Sequence, residues 1–331
     1  MNSKKKSNLG RGSAVLSVAA LVAMLTAPMA GSAANLSGSS FAVKATNAAE
    51  PKHFAIKPAF EESTNQSPEN PSAPSSPEPT SAPTPTAPSG PPPTSLDEFS
   101  WSISSSQATL VKYNGTSTDV VIPSVYSRSG VTRPVTEIGS SSFLGSTVVR
   151  SVTIPNSVVS IGGRAFERSG LESVSIPDSV TSIGTYAFFS TSLSSVAIPD
   201  SVTSIGPAAF QNSKLSKLTL SSNLKRIEHR TFSGNPLGSV TIPSKVTTIE
   251  EFAFNSVGLT TVTIPASVTT LEGNAFSNNP FTAIYMAGNA PKIQSATFNG
   301  TFGAAAGKVV YYKNGATGYS NPWNGYATAT Y

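Results

Sequence analysis

The chain has 331 residues, with 22 Lys and Arg against 17 Asp and Glu, and no cysteine. Lys4, Lys5, Lys6 and Arg11 stand ahead of an apolar run with no acidic residue beside them; without these four, 18 basic residues face 17 acidic ones. So neutral a chain has no broad positive field to gather phosphates, which argues against a nucleic-acid partner. The lack of cysteine excludes disulfides, thiolate metal sites and a Cys nucleophile.

Residues 1–34 have the order of a secretory signal peptide. A basic start is followed by an apolar run over residues 13–25 and then by small residues, with cleavage sites at Gly31-Ser32-Ala33 or Ser32-Ala33-Ala34. The run is shorter than the roughly 20 residues of a spanning helix. Cleavage is therefore expected, leaving no transmembrane helix. No sorting signal for covalent wall attachment is read at the C-terminus, so any surface retention is expected to be non-covalent. Residues 35–95 form a Pro/Ser/Thr-rich spacer, with 13 prolines over residues 51–93. Such a segment buries too little apolar surface to offset its ordering entropy, and its proline content keeps it extended.

Residues 96–148 are expected to form an N-terminal cap with an irregular first repeat. From Val149 the sequence repeats every 22 residues, in units beginning at Val149, Leu171, Leu193, Leu215, Leu237, Leu259 and Phe281. These seven repeats occupy residues 149–302, and a C-terminal cap follows over 303–331. A fixed period in the twenties signals a solenoid. In the unit LESVSIPDSVTSIGTYAFFSTS, Val174 and Ile176 alternate with Ser173 and Ser175 and predict a short strand. Pro177 ends it because Pro cannot donate to a ladder; Pro155, Pro199, Pro243 and Pro265 recur at the same position. Val180 and Ile183 form a second apolar pair, Gly184 turns the chain, and Ala187-Phe188 is expected to form a short helical turn facing inward. The expected architecture is a solenoid with short parallel strands on one face and short strands and helical turns on the other. Its core is marked by Phe143, Phe166, Phe188, Phe210, Phe232, Phe254, Phe276 and Phe298.

The unit L-x-S-V-x-I-P-x-S-V-T-S-I-G-x-x-A-F resembles the BspA-type leucine-rich repeat. The resemblance covers about residues 96–331, including the lead-in FSWSISSSQATLVKYNGTSTDVVIPS and the tail KVVYYKNGATGY. It implies a bacterial surface or secreted protein associated with adhesion and protein binding, in a family that is not enzymatic as a group. One departure stands out. The position that carries a hydrogen-bonding Asn ladder in many leucine-rich repeats is read here as Ser157, Ser179, Ser201 and Ser267, as Lys245, and as Asn only at Asn223 and Asn289.

Catalytic chemistry finds little footing. His53 and His229 are too scattered for a zinc site. No nucleophile elbow, phosphate loop or dinucleotide fingerprint appears. No enzyme activity, cofactor or metal is expected. Three features are candidates for binding. Thr153, Ser175, Ala197, Thr219, Thr241, Thr263 and Tyr285 form a mostly hydroxyl row on the expected concave face. An ice-binding surface would need regular Thr columns, which the flanking Ser173, Ser195, Lys217, Ser239 and Thr261 do not keep. The unit at 215–236 lacks the repeat's Pro and Gly and carries Lys217, Lys225, Arg226, His229 and Arg230, suited to an anionic polymer or acidic protein. The tail offers Tyr311, Tyr312, Tyr319, Trp323, Tyr326 and Tyr331, read first as a cap and second as sugar-stacking rings. Finally, Glu228, Glu250 and Glu272 recur one coil apart; a surface ion network ranks ahead of calcium, which wants more oxygen ligands than the column supplies. The function expected is an adhesin-like protein-binding module, with carbohydrate or cell-wall-polymer binding as the alternative.

Overall fold

Each 22-residue unit contributes two strand segments and one turn, and each of these meets its equivalent in the next coil. The computed structural model describes residues 91–294, 300–304 and 306–331. The signal segment, Phe298 and nearly all of the spacer lie outside them. Thr94 is already tied to the repeat body, since its N–H donates to the Val121 carbonyl at 2.9 Å.

The first ladder is parallel and uses the segment before each proline. It runs through Asp119–Val121, Ser151–Thr153 and Ser173–Ser175, then Ser195–Ala197 and Lys217–Thr219, then Thr261–Ile264, Ala283–Met286, Val309–Tyr312 and Ala327–Thr330. Its register equals the repeat, with Ser195 opposite Lys217 and Val196 opposite Leu218. After the strand, the proline carbonyl accepts from the N–H three residues on, as in Val180 N–H to Pro177 O at 3.0 Å. Residues 239–242 form no strand, so the ladder is interrupted there.

The second ladder begins with the antiparallel hairpin Phe99–Ile103 and Ala108–Tyr113. It continues in parallel through Val131–Ile138, Ser160–Ile161, Ser182–Ile183 and Ser204–Ile205, and Val125–Arg128 pairs antiparallel with the first half of Val131–Ile138. A separate set comprises Arg226–Ile227, Thr248–Ile249, Thr270–Glu272 and Lys292–Gln294. The break falls where the repeat's glycine becomes glutamate. A Cβ on Gly206 would come within 2.6 Å of the Thr185 amide nitrogen. Glu228 stands at that position and the ladder stops before it, while Glu250 and Glu272 take the same position in the paired set that follows.

The third element corrects an expectation. The Ala-Phe segment is not a helical turn; among the described residues the one helical element assigned is the 3-10 turn Leu96–Glu98. Tyr186 and Ser190, on either side of Ala187 and Phe188, have φ of 57° and 53°. This left-handed backbone turns alternate amides toward the next coil rather than along a helix axis. Arg164 N–H bonds to Thr185 O at 2.9 Å, Phe166 to Ala187 at 2.7 Å and Arg168 to Phe189 at 2.8 Å. The triplet recurs at Ala208, Phe210 and Asn212, so the turns form a hydrogen-bonded column of their own.

Inside, the aromatic rings stack at the coil spacing. Phe143, Phe166, Phe188, Phe210, Phe232, Phe254 and Phe276 lie in one column with successive centroids 4.8 to 5.7 Å apart. Tyr113 caps its N-terminal end at 5.3 Å. At the other end Phe302 stacks on Phe276 at 5.5 Å, four residues beyond the position the period assigns to Phe298. An insertion in the last coil shifts the repeat there. Tyr326 closes the column edge-on against Phe302.

A second correction concerns asparagine. The residues that staple coils are Asn235 and Asn279, both buried. At the position read from sequence, Ser179 and Ser201 donate to the carbonyls of Val158 and Val180 at 2.6 and 2.7 Å. Asn223 there bonds the Asp200 carbonyl at an exposed edge.

Candidate binding surface

Alternation in the first ladder sends Val152, Val196 and Val262 into the core and leaves Thr153, Ser175, Ala197, Thr219, Thr241 and Thr263 exposed, with Tyr285 half-exposed. Shallow hollows lie along the middle of this face. One of about 200 Å³ is lined by Ser195, Ala197, Lys217 and Thr219. The next, about 290 Å³, lies among Leu218, Thr219, Thr241 and Pro243. A third, about 330 Å³, lies among Ser239, Thr241, Thr261 and Thr263. The last two flank residues 239–242, where the ladder is interrupted. Lys217, Thr219, Thr241 and Thr263 are thus brought to one surface.

The remaining basic residues are not. Lys225 and Arg226 belong to the second-ladder side of the coil, while His229 and Arg230 belong to the turn column. Arg226 is moreover neutralised: its Nη1 lies 2.5 Å from Glu250 Oε1, and its Nε 3.9 Å from Glu228. Four cations and a histidine in one sequence unit therefore make no single positive patch. The repeat wraps the chain around the solenoid, and contiguity in sequence is lost across its faces.

The glutamate column forms the ion and hydrogen-bond network. Glu250 also accepts the His229 backbone N–H through Oε2 at 2.9 Å, and Glu272 accepts that of Glu251 at 3.1 Å. Among the described residues no group of three or more His, Cys, Asp or Glu is placed to hold a metal ion. The Glu228 carboxyl is held above the ordinary range, first by burial and then by the Glu250 carboxylate, with Arg226 opposing. A carboxyl raised in the folded state binds a proton there that the unfolded chain releases. Its stabilising share grows as pH falls through the raised value and is lost as pH rises above it. Glu228→Gln is expected to melt higher than the parent at neutral pH, with the gap closing under mild acid. Glu250→Gln is expected to melt lower, because it weakens the Arg226 pair and the His229 acceptor. Parallel thermal melts across pH check both signs.

The aromatic tail divides. Tyr312 stacks on Tyr319 at 4.5 Å, and Trp323 and Tyr326 are buried, so these rings pack the C-terminal end of the solenoid. Tyr285 and Tyr311 stack at 5.4 Å, with Tyr331 edge-on to Tyr285 at the end of the hydroxyl face.

Among the described residues no helix is long and apolar enough to cross a membrane. The profile of the BspA type leucine-rich-repeat region matches in six copies, over residues 128–236 and 225–303. Solved structures give further likenesses. A leucine-rich-repeat protein from Bacteroides ovatus is 20% identical, with 71% of this chain and 75% of that one covered and a TM-score of 0.43. A leucine-rich cell surface protein from Faecalibacterium prausnitzii is 20% identical, covering 73% and 95%, with a TM-score of 0.42. A leucine-rich-repeat protein of T. pallidum is 24% identical, covering 65% and 92%, with a TM-score of 0.44. No curated protein matches the chain.

Proposed function

We propose, from the premise that this chain belongs to the BspA-type leucine-rich-repeat family, that it is a secreted or cell-surface module that binds a protein through the first-ladder face. The observation that carries this reading is the run of exposed hydroxyls over hollows between Ser195 and Pro265, beside the unpaired segment 239–242. A flat, weakly charged surface with exposed backbone suits a broad protein contact better than a small substrate, which needs a concave and mostly apolar pocket. The signal-like start and the proline-rich spacer support an extracellular role, with the repeats held away from whatever the N-terminus touches. The family's character and the lack of a catalytic constellation in the sequence support binding rather than catalysis. The alternative, polymer binding across the basic unit, loses support because Lys217, Lys225, Arg226 and Arg230 belong to different sides of the coil.

The test is capture by the immobilised full chain of matrix proteins and, separately, of purified cell-wall polymer. Replacing Thr219, Thr241 and Thr263 together by Lys places three charges one coil apart over the hollows. The variant is expected to lose at least ten-fold in affinity for its protein ligand while melting within a few degrees of the parent. Undiminished capture by that variant, or capture of wall polymer alone, overturns the reading.

A further inference from the structure

The turn column carries side chains that neither the core nor the first-ladder face uses. Each turn presents two left-handed positions flanking a middle one. The first row reads Arg164, Tyr186, Ala208, Arg230, Phe252 and Asn274, and the second reads Arg168, Ser190, Asn212, Gly234, Ser256 and Asn278. Around Arg164 the charges are paired within the column. Glu167 lies between Arg164 and Arg168 at 3.7 and 3.8 Å, and these arginines cover Tyr186 and Phe189.

One coil pair further on, the composition changes. Ala208 is buried and Gly234 has no side chain, so the two rows open. A hollow of about 340 Å³ results, lined by Gln211, Asn212, Arg230, Ser233, Phe252 and Asn255 among others. The Asn212 side chain lies over Gly234, where a Cβ would fall 2.0 Å from Asn212 Oδ1. Phe252 holds a bulky ring at φ 59°, a conformation such residues rarely adopt, and leaves that ring half-exposed.

Ser233, Asn255 and Ser256 are hydrogen-bonded to one another or to Ser277, which leaves Gln211, Asn212 and Arg230 as the groups that can turn to a ligand. Among the described residues, the side-chain amides of Gln211 and Asn212 bond to no protein group, and Arg230 has no carboxylate partner. The Arg230 guanidinium instead lies 4.8 Å from the Phe252 ring centre, which fixes it at the wall. An amide offers a donor and an acceptor side by side, the pattern that adjacent sugar hydroxyls match. A guanidinium offers a planar fork that a carboxylate fits in bidentate fashion. No carboxylate lines the hollow, so a cation has nothing to bind. A single arginine is too little for a polyphosphate, and the volume, near the lower end of ligand pockets at roughly 300 Å³, suits one sugar unit rather than a folded partner.

We propose that this hollow binds an acidic sugar unit of a glycan, with Arg230 on the carboxylate and Gln211 and Asn212 on the ring hydroxyls. It lies on the turn column, not on the hydroxyl face, and stands whether or not that face binds protein.

The experiment is calorimetric titration of the full chain with an oligogalacturonide, which carries a carboxylate on every ring, and with a neutral chito-oligosaccharide. Saturable binding of the first, at least ten-fold tighter than of the second, is expected. Arg230→Gln should remove at least ten-fold of that affinity without shifting the melting temperature, and Arg230→Lys should restore part of it. Asn212→Ala should weaken both sugars, while the triple lysine variant of the hydroxyl face should bind like the parent. Equal affinity for the neutral sugar, no saturable binding of the acidic one, or an unchanged Arg230→Gln variant overturns the proposal.

Discussion

Phe210→Ala is expected to cost about 3–5 kcal/mol, the range for removing a large buried ring and leaving a cavity. Phe210 is completely buried, with its ring stacked on Phe188 at 4.9 Å and on Phe232 at 5.7 Å. The second distance is the widest in the Phe column. It falls at the junction where the second ladder is interrupted, between Ser204–Ile205 and Arg226–Ile227. That junction is held by the first-ladder pairing of Ser195–Ala197 with Lys217–Thr219, by the turn column, and by bridges such as Ser222 N–H to Asp200 Oδ1 at 2.7 Å. In a solenoid, stability is nearly a sum of coil terms and nearest-neighbour interfaces. Weakening this interface therefore lowers total stability and also separates the two halves. Chemical denaturation of Phe210→Ala should show a lower midpoint and a broadened or two-step transition. Phe166→Ala lies within the unbroken part of the second ladder and should shift the midpoint while keeping one transition. A Phe210→Ala midpoint no lower than that of an exposed Ser194→Ala control would contradict the stacked-ring account.

The period and the core were legible in the sequence because both are repeated. Leu171, Val180, Ile183 and Phe188 recur at fixed spacing, and chance does not keep seven units in register. The shape of the turn was not legible. Ala187-Phe188 looks the same whether its neighbours are helical or left-handed, and Tyr186 at φ 57° carries no residue-type signal for that backbone. Arg164, Arg230 and Phe252 take the same conformation against their propensity, because the inter-coil bonds of the whole column impose it. The scatter of the basic unit was equally hidden. Lys217 and Arg226 are nine positions apart in sequence, but they sit on strands of different ladders. The turn hollow left one readable trace, the loss of large side chains at Ala208 and Gly234. That trace acquires meaning only once the rows are aligned in space.

Asn235→Ala is expected to rival the loss of a core ring. Asn235 is completely buried and uses its whole amide. Its Nδ2 donates to the carbonyls of Phe210 and Phe232 at 2.7 and 2.8 Å, and its Oδ1 accepts from Ser213 N–H and Leu215 N–H at 3.0 Å each. One side chain thus satisfies four backbone groups of two coils. Alanine removes all four bonds together. Each buried group left without a partner costs about 1–3 kcal/mol, and water entering the vacated space recovers part of that, giving an expected loss of about 3–5 kcal/mol. Serine should be intermediate, since Ser213 one coil earlier reaches the Phe188 carbonyl with its hydroxyl at 2.5 Å. Asn279 provides an internal replicate, because its amide bonds Phe254 O, Phe276 O, Val257 N–H and Leu259 N–H in the same pattern. The order parent, serine, alanine should hold at both sites. Because Asn235 bonds the Phe210 carbonyl, Asn235→Ala and Phe210→Ala share one interface, and their combined cost should fall short of the sum. Full additivity in that double variant, or an alanine at 235 as harmless as one at exposed Ser194, would show that the amide is not what joins these coils.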